Sequence, residues 1–143
     1  MQERIKQVAK GPYWQHLDMQ VVSSENGEAT VKMEIKHEHM QAYGVVHGGA
    51  LASLIDSAIG IALNSTLAEN QGSTTTNLQI MYARPAVSGT LTAKAKLIKR
   101  GKSIVFGECS VTDEQDALIV SGSATYMILD LRRWSKDKNL SID

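Results

Sequence analysis

The stretch VVHGGALASLIDSAIGIALNS, residues 45 to 65, decides the fold. Leu51, Leu54, Ile55, Ala58, Ile59 and Ala62 recur at i, i+3 and i+4 spacing, the apolar stripe of a helix with one buried face. The spacing predicts a helix over residues 48 to 67. Two features are odd for a core helix. It opens on Gly48 and Gly49 behind His47, and one carboxylate, Asp56, stands among apolar side chains.

Upstream, residues 1 to 12 read as an arm with a short amphipathic helix carrying Ile5 and Val8, stopped by Gly11-Pro12. Asn26-Gly27 is a hairpin turn signal. After it Ala29, Val31, Met33 and Ile35 alternate with Thr30, Lys32, Glu34 and Lys36, the period of a strand with one buried face. Residues 37 to 46 form a loop into the helix. Downstream the loop AENQGS leads to four strand-like runs, TTTNLQIMYA, TLTAKAKLIK, SIVFGECSVT and ALIVSGSATYMIL, parted by turns at Ser88-Gly89, Arg100-Gly101 and 114 to 116. The tail from residue 132 is polar and expected to be loose. A hairpin, one long helix and a four-strand meander make an α+β arrangement, an antiparallel sheet facing a single helix. That order of elements resembles the hotdog fold, in which the sheet wraps the central helix.

The chain of 143 residues fits one domain, expected over 1–143. Its 43% apolar and 21% charged residues are ordinary for a soluble globular protein. Fifteen basic residues balance fifteen acidic ones, which argues against a nucleic-acid or membrane-surface role, since both favour a positive excess. One cysteine, Cys109, rules out an intrachain disulfide and points to a reducing, cytoplasmic compartment. The N-terminus carries charges throughout and no apolar run, unlike a signal peptide. No stretch is long and apolar enough for a transmembrane span.

Glycine before a helix lets backbone approach a ligand, and the first helical N–H groups have no partner within the helix. Such an end can hold an anion or a developing oxyanion. From the glycines alone the plainer reading, a tight loop-to-helix turn, is the favoured one. Asp56 lies off the apolar stripe, near Ala52, Gly60 and Leu63, with Ser53 and Asn64 beyond. A solvated face would explain it, but no Lys, Arg or Glu occurs between residues 46 and 68. Small, weakly polar residues there suit contact with another surface, and Gly60 leaves a shallow groove beside the carboxylate. Gly48 and Asp56 are eight residues apart, about 12 Å along one helix. A reacting carbonyl must lie roughly 3 Å from both its oxyanion donor and its attacking group. If both residues serve one reaction, two copies of the helix must lie antiparallel, and the site is shared across a two-fold dimer.

The remaining candidates are weaker. The histidines are His16, His37, His39 and His47, and the run KHEH lacks the cysteine or acidic cluster that would complete a metal set. His47 reads as a holder of the glycine loop. Cys109 shares a strand face with Val105, Gly107 and Val111 and reads as a core thiol. The hairpin KRGKS, residues 99 to 103, gathers Lys99, Arg100, Lys102 and Ser103 around a glycine, and Arg84 precedes Pro85. Such charges are ordinarily a solvated turn; a phosphate-bearing ligand is the functional alternative. No G-x-S-x-G, Walker A or dinucleotide motif occurs.

The segment QAYGVVHGGALASLIDSAIG, residues 41 to 60, resembles the signature of hotdog-fold acyl-CoA thioesterases, in the branch similar to PaaI-like and 4-hydroxybenzoyl-CoA thioesterases. The resemblance spans about residues 15 to 130. It implies hydrolysis of acyl-CoA to free acid and CoA. The Gly48 N–H would polarise the thioester carbonyl. Asp56 of a partner subunit would act as nucleophile or as general base for water. Gln41 matches a Gln/Asn position near the thioester, and Thr75 a Ser/Thr position that orients water, with Thr74 and Thr76 beside it. A Thr found one turn beyond the acid in another branch is Gly60 here. His47, Gly49, Gly60, Arg84, Arg100, Lys102 and Ser103 would contact substrate, the basic hairpin through the CoA phosphates. An obligate dimer, assembling to a homotetramer, follows from the resemblance. The partners are acyl-CoA and further copies, with no nucleic acid or membrane. The chemistry needs an electrophile stabiliser and an activated oxygen, with no metal or redox cofactor. Two alternatives stand beside it: a hydratase or dehydratase of the same fold, whose FPG-type loop and D-x-x-x-x-H segment are missing here, and a non-catalytic acyl-CoA-binding module.

Overall fold

Asn26 and Gly27 both adopt left-handed backbone, φ 52° and 78°, as a tight hairpin matched to strand twist requires. In the computed structural model, which describes residues 2–133, they join β1 (Met19–Glu25) to β2 (Glu28–Glu34). The helix α3 (Gly48–Asn64) follows, then β3 (Gln71–Tyr82), β4 (Thr90–Arg100), β5 (Ile104–Thr112) and β6 (Leu118–Asp130). All pairings are antiparallel, in the order β1-β2-β4-β5-β6-β3. The single six-stranded sheet packed on one helix is the α+β hotdog architecture.

Alternation sets the faces. Val31, Leu91, Ala93, Val105, Val111 and Val120 point inward and are buried, while Lys32, Lys94, Lys96 and Glu108 point out. Against that inner face α3 lays Leu54, Ile55, Ala58, Ile59 and Ala62, all fully buried. Each large apolar side chain removed from water there contributes about 1.5–3 kcal/mol. The helix comes close because two inward positions have no side chain. A Cβ on Gly107 would lie 2.5 Å from Ile59 Cγ2, and one on Gly122 would lie 2.9 Å from Ile55 Cγ2 and 2.7 Å from the Gln79 carbonyl oxygen.

Three details differ from the sequence reading. Pro12 does not only end the first helix, α1 (Glu3–Val8); it starts a second, α2 (Pro12–Leu17), which buries Trp14 and Leu17. Proline suits the first helical position, where its missing N–H has no partner to lose. The helix α3 ends at Asn64, not near 67, and β3 begins at Gln71, inside the expected loop. The N-terminal arm is docked: Ile5 is fully buried, and Arg4 donates to the carbonyls of Ala68, Glu69 and Gln71. Of the expected loose tail, residues 134–143 lie outside the described residues.

Candidate active site

The loop before α3 is tied down by backbone bonds. Met40 bridges Val46, the His47 N–H donates to the His39 carbonyl at 2.7 Å, and Val46 N–H donates to Ala86 O at 2.8 Å. The His39 ring is 2% exposed and clamps two more backbone groups. Its Nδ1 accepts from Lys36 N–H at 3.0 Å, and its Nε2 lies 2.8 Å from the Leu17 carbonyl. So the histidine in KHEH that is buried serves the scaffold. Among the described residues no cluster of three His, Cys, Asp or Glu forms a metal-binding group.

At the helix start His47 is the N-cap: its Nδ1 accepts the Gly49 N–H at 2.8 Å. That occupies the second glycine's donor. The Gly48 N–H stands at the first helical position, where no carbonyl four residues back can take it. The Gly48 carbonyl accepts the Tyr82 hydroxyl at 2.7 Å, and a Cβ on Gly48 would sit 3.2 Å from that hydroxyl. The glycine end is therefore overlaid by a β3 tyrosine that the sequence reading had not singled out.

Asp56 is half-buried in the middle of α3, and Ala52, Ser53, Ser57, Gly60 and Asn64 on its side are half-buried too. Leu63, placed beside it by the helical wheel, is instead fully buried. A β-bulge at Thr76, between Thr75 and Asn77, interrupts the β3–β6 ladder. It leaves Thr75 facing the helix, where its hydroxyl donates to Asp56 Oδ1 at 2.9 Å. Thr76 donates to the Thr125 carbonyl at 3.2 Å, and Thr74 pairs with the outward Met127. The Tyr126 hydroxyl also donates to Asp56 Oδ1 and lies 2.5 Å from the Asp56 carbonyl oxygen. Burial foremost, then the Asp56 charge, drives the Tyr126 phenol far above the usual tyrosine range. Its ring fills the groove expected beside Gly60, with the hydroxyl 3.5 Å from where a Gly60 Cβ would be. Tyr13 from α2 reaches the same side of the helix, 2.6 Å from Ser53 Oγ.

The other expected residues lie further out. Gln41 is half-buried and folded into its own loop: its Oε1 accepts the Tyr43 N–H, and its own N–H donates to Val45 O at 2.8 Å. Arg100 donates to Thr66 Oγ1 at 3.0 Å, to Gly101 O at 2.5 Å and to Gln71 Oε1 at 3.4 Å. The guanidinium thus braces the turn against the end of α3. Lys102 and Ser103 are exposed at the β4–β5 turn, and Arg84 is exposed just past β3. Cys109 is 2% exposed, and burial pushes its thiol up to about 12, so it stays protonated and inert.

A family model for the Thioesterase superfamily matches residues 43–120, and the chain belongs to that superfamily. It is similar to human acyl-coenzyme A thioesterase 13, 27% identical over 124 residues, 85% of this chain and 88% of that protein. It is similar also to the 1,4-dihydroxy-2-naphthoyl-CoA hydrolase of Listeria monocytogenes, 26% identical over 117 residues, covering 82% and 95%. The solved thioesterase HI1161 of Haemophilus influenzae superposes with a TM-score of 0.84, covers 92% of each chain at 24% identity, and bears on the fold alone.

Proposed function

We propose that this thioesterase hydrolyses acyl-CoA, releasing the free acid and CoA, at a site shared by two copies of the chain. The observation that carries the reading is the Asp56 carboxylate. It is half-open, fixed by the hydroxyls of Thr75 and Tyr126, and displaced eight residues from the helix end that offers the Gly48 N–H. A thioester carbonyl polarised by Gly48 of one chain would be attacked through Asp56 of the other. Either the carboxylate adds directly, and water then cleaves the anhydride, or it takes a proton from the attacking water. In both cases the C–S bond breaks, the thiolate leaves as CoA, and the oxygen of water ends in the acid or its carboxylate partner.

Two features favour the paired assembly. β3 is an edge strand of twelve residues, and Met81 near its end is 70% exposed. A long bare edge invites another strand. Two-fold pairing of β3 with its copy sets the two α3 helices antiparallel, and a dimer of such dimers gives the tetramer. Gln41 would turn its amide toward the thioester once the partner surface is present. Lys102, Ser103 and Arg84 would meet the CoA phosphates, with Arg100 lending charge from its braced position. His47 and Gly49 would shape the oxyanion end. The lone buried thiol suits a cytoplasmic setting.

A hydrolysis screen over short, medium, long and aromatic acyl-CoAs, following thiol release, tests the proposal. Wild type should turn over at least one class, and Asp56→Asn should lose about 10³-fold or more in kcat with its fold intact by circular dichroism. Tight binding of acyl-CoA with no thiol released would make the chain a binding module. Wild-type kcat in Asp56→Asn would remove Asp56 from the chemistry.

A further inference from the structure

We infer that Tyr126 is a positioning residue for the Asp56 carboxylate: its phenol and the Thr75 hydroxyl together claim Oδ1, which leaves Oδ2 as the oxygen that meets the thioester or its water. The inference rests on the reading of Asp56 as the reacting carboxylate.

Tyr126 occupies an inward position of β6, opposite Val105 on one side and Thr75 on the other, and is 4% exposed. Its hydroxyl reaches two acceptors on one residue, Asp56 Oδ1 and the Asp56 carbonyl oxygen. A phenol carries one proton and serves one acceptor at a time. The charged carboxylate is the stronger acceptor, and the carbonyl already receives a helical N–H four residues on. The proton therefore points to Oδ1 in the resting enzyme. Burial and the neighbouring charge keep that proton on the phenol, so Tyr126 is a donor here. Thr75 supplies the second donor to the same oxygen. Among the described residues no hydrogen bond reaches Oδ2.

The consequence is orientation. The terminal torsion of an aspartate is broad and nearly two-fold, so an unheld carboxylate would present either oxygen. Two donors on Oδ1 fix the carboxylate plane and aim the other oxygen. The second acceptor matters during the reaction. When Oδ2 takes up an acyl group or a proton, the charge is lost and Oδ1 becomes a poorer acceptor. The phenol proton can then swing to the carbonyl 2.5 Å away, so no buried donor is left unpaired. Gly60 lies beside the arrangement, with the Tyr126 hydroxyl 3.5 Å from its Cβ position, an ordinary contact distance.

The test measures kcat and KM on the best acyl-CoA for wild type, Tyr126→Phe, Asp56→Asn and the double variant. Tyr126→Phe should lower kcat about 10- to 100-fold with KM within about twofold. In the Asp56→Asn background the same change should cost less than about twofold, since it acts through Asp56. Site-specific replacement of Tyr126 by 3-fluorotyrosine, which keeps the hydroxyl, should restore kcat, and it carries the test should Tyr126→Phe not fold. A kcat within about twofold of wild type for Tyr126→Phe, or an equal loss in both backgrounds, overturns the inference while leaving Asp56 in place. Wild-type activity in Asp56→Asn fails the underlying reading instead.

Discussion

At Gly48 the candidate reagent is a backbone N–H, which no ordinary side-chain substitution removes. Proline can remove it. Gly48 is the first residue of α3 and His47 before it is extended, φ −58° and ψ 133°, which are the conditions proline accepts at a helix start. The nearest atoms to a Cβ at Gly48 are the hydroxyl, Cζ and Cε1 of the Tyr82 side chain, at 3.2–3.5 Å, so that ring must give by a few tenths of an ångström. Gly48→Pro should therefore fold, bind acyl-CoA and lose about 10²–10³-fold in kcat, as loss of one oxyanion donor does elsewhere. A loss of under threefold would place the oxyanion elsewhere. At this scale the sequence exposed the residues on α3 and hid those that come to it. The HGG and Asp56 lie on one helix, so their spacing was readable. Tyr126 is 70 positions from Asp56 and shows in the sequence only as one more inward residue of an alternating strand. Thr75 could not be told from its neighbours, because the bulge at Thr76 offsets the parity that would have sorted them.

Among the elements, β6 lets α3 come close at Gly122, where a Cβ would lie 2.9 Å from Ile55 Cγ2. A methyl there meets the backbone oxygen of Gln79 at 2.7 Å, which cannot swing aside as a side-chain tip can. Gly122→Ala should cost about 1–3 kcal/mol, read as a lower urea midpoint with an unchanged slope. The β4–β5 turn and Arg84 just past β3 carry a different expectation. If Arg84 and Lys102 meet the CoA phosphates, replacing both by Ala should raise KM for acyl-CoA several-fold, on the order of 1 kcal/mol or less per exposed charge. KM for the matching N-acetylcysteamine thioester, which has no phosphate, should not move. Most elements were legible because alternation and the i, i+3, i+4 stripe are strong periodic signals. α2 was not, since Gly11-Pro12 reads as a stop and only the burial of Trp14 and Leu17 reveals that a helix restarts there. The KHEH run was read as no metal set, but the part it does play was hidden in the same way. Its one buried ring, His39, is spent on the Leu17 carbonyl and the Lys36 N–H, contacts that no local pattern announces.

For the whole molecule the decisive question is whether one chain holds a complete site. The helix places Gly48 and Asp56 about 12 Å apart, so a monomer should be inactive and the 15.6 kDa chain should run at an even multiple of its mass. Mixing settles the point. Gly48→Pro and Asp56→Asn are each expected to be inactive. A mixed dimer holds one site with both functional groups and one site with neither. Reassembled one to one, half the dimers are mixed and about a quarter of wild-type activity should return. No recovery after subunit exchange would confine each site to one chain. The balanced charge, fifteen against fifteen, places no net repulsion in the way of such pairing.

The buried Cys109 has a practical consequence. It is the only thiol in the chain, and, 2% exposed with burial pushing its pKa up, it should leave the native protein slow to react with thiol reagents. Enzyme can then be used at the same concentration as substrate with little background. The first equivalent of CoA becomes countable. A fast release stoichiometric with active sites, followed by slower turnover, would mark an acyl-Asp56 anhydride that forms ahead of its hydrolysis. A linear release from the first moment would fit water attacking in one stage, with Asp56 as its base. The residue that takes no part in the chemistry thus makes the protein a clean titrant of its own intermediate.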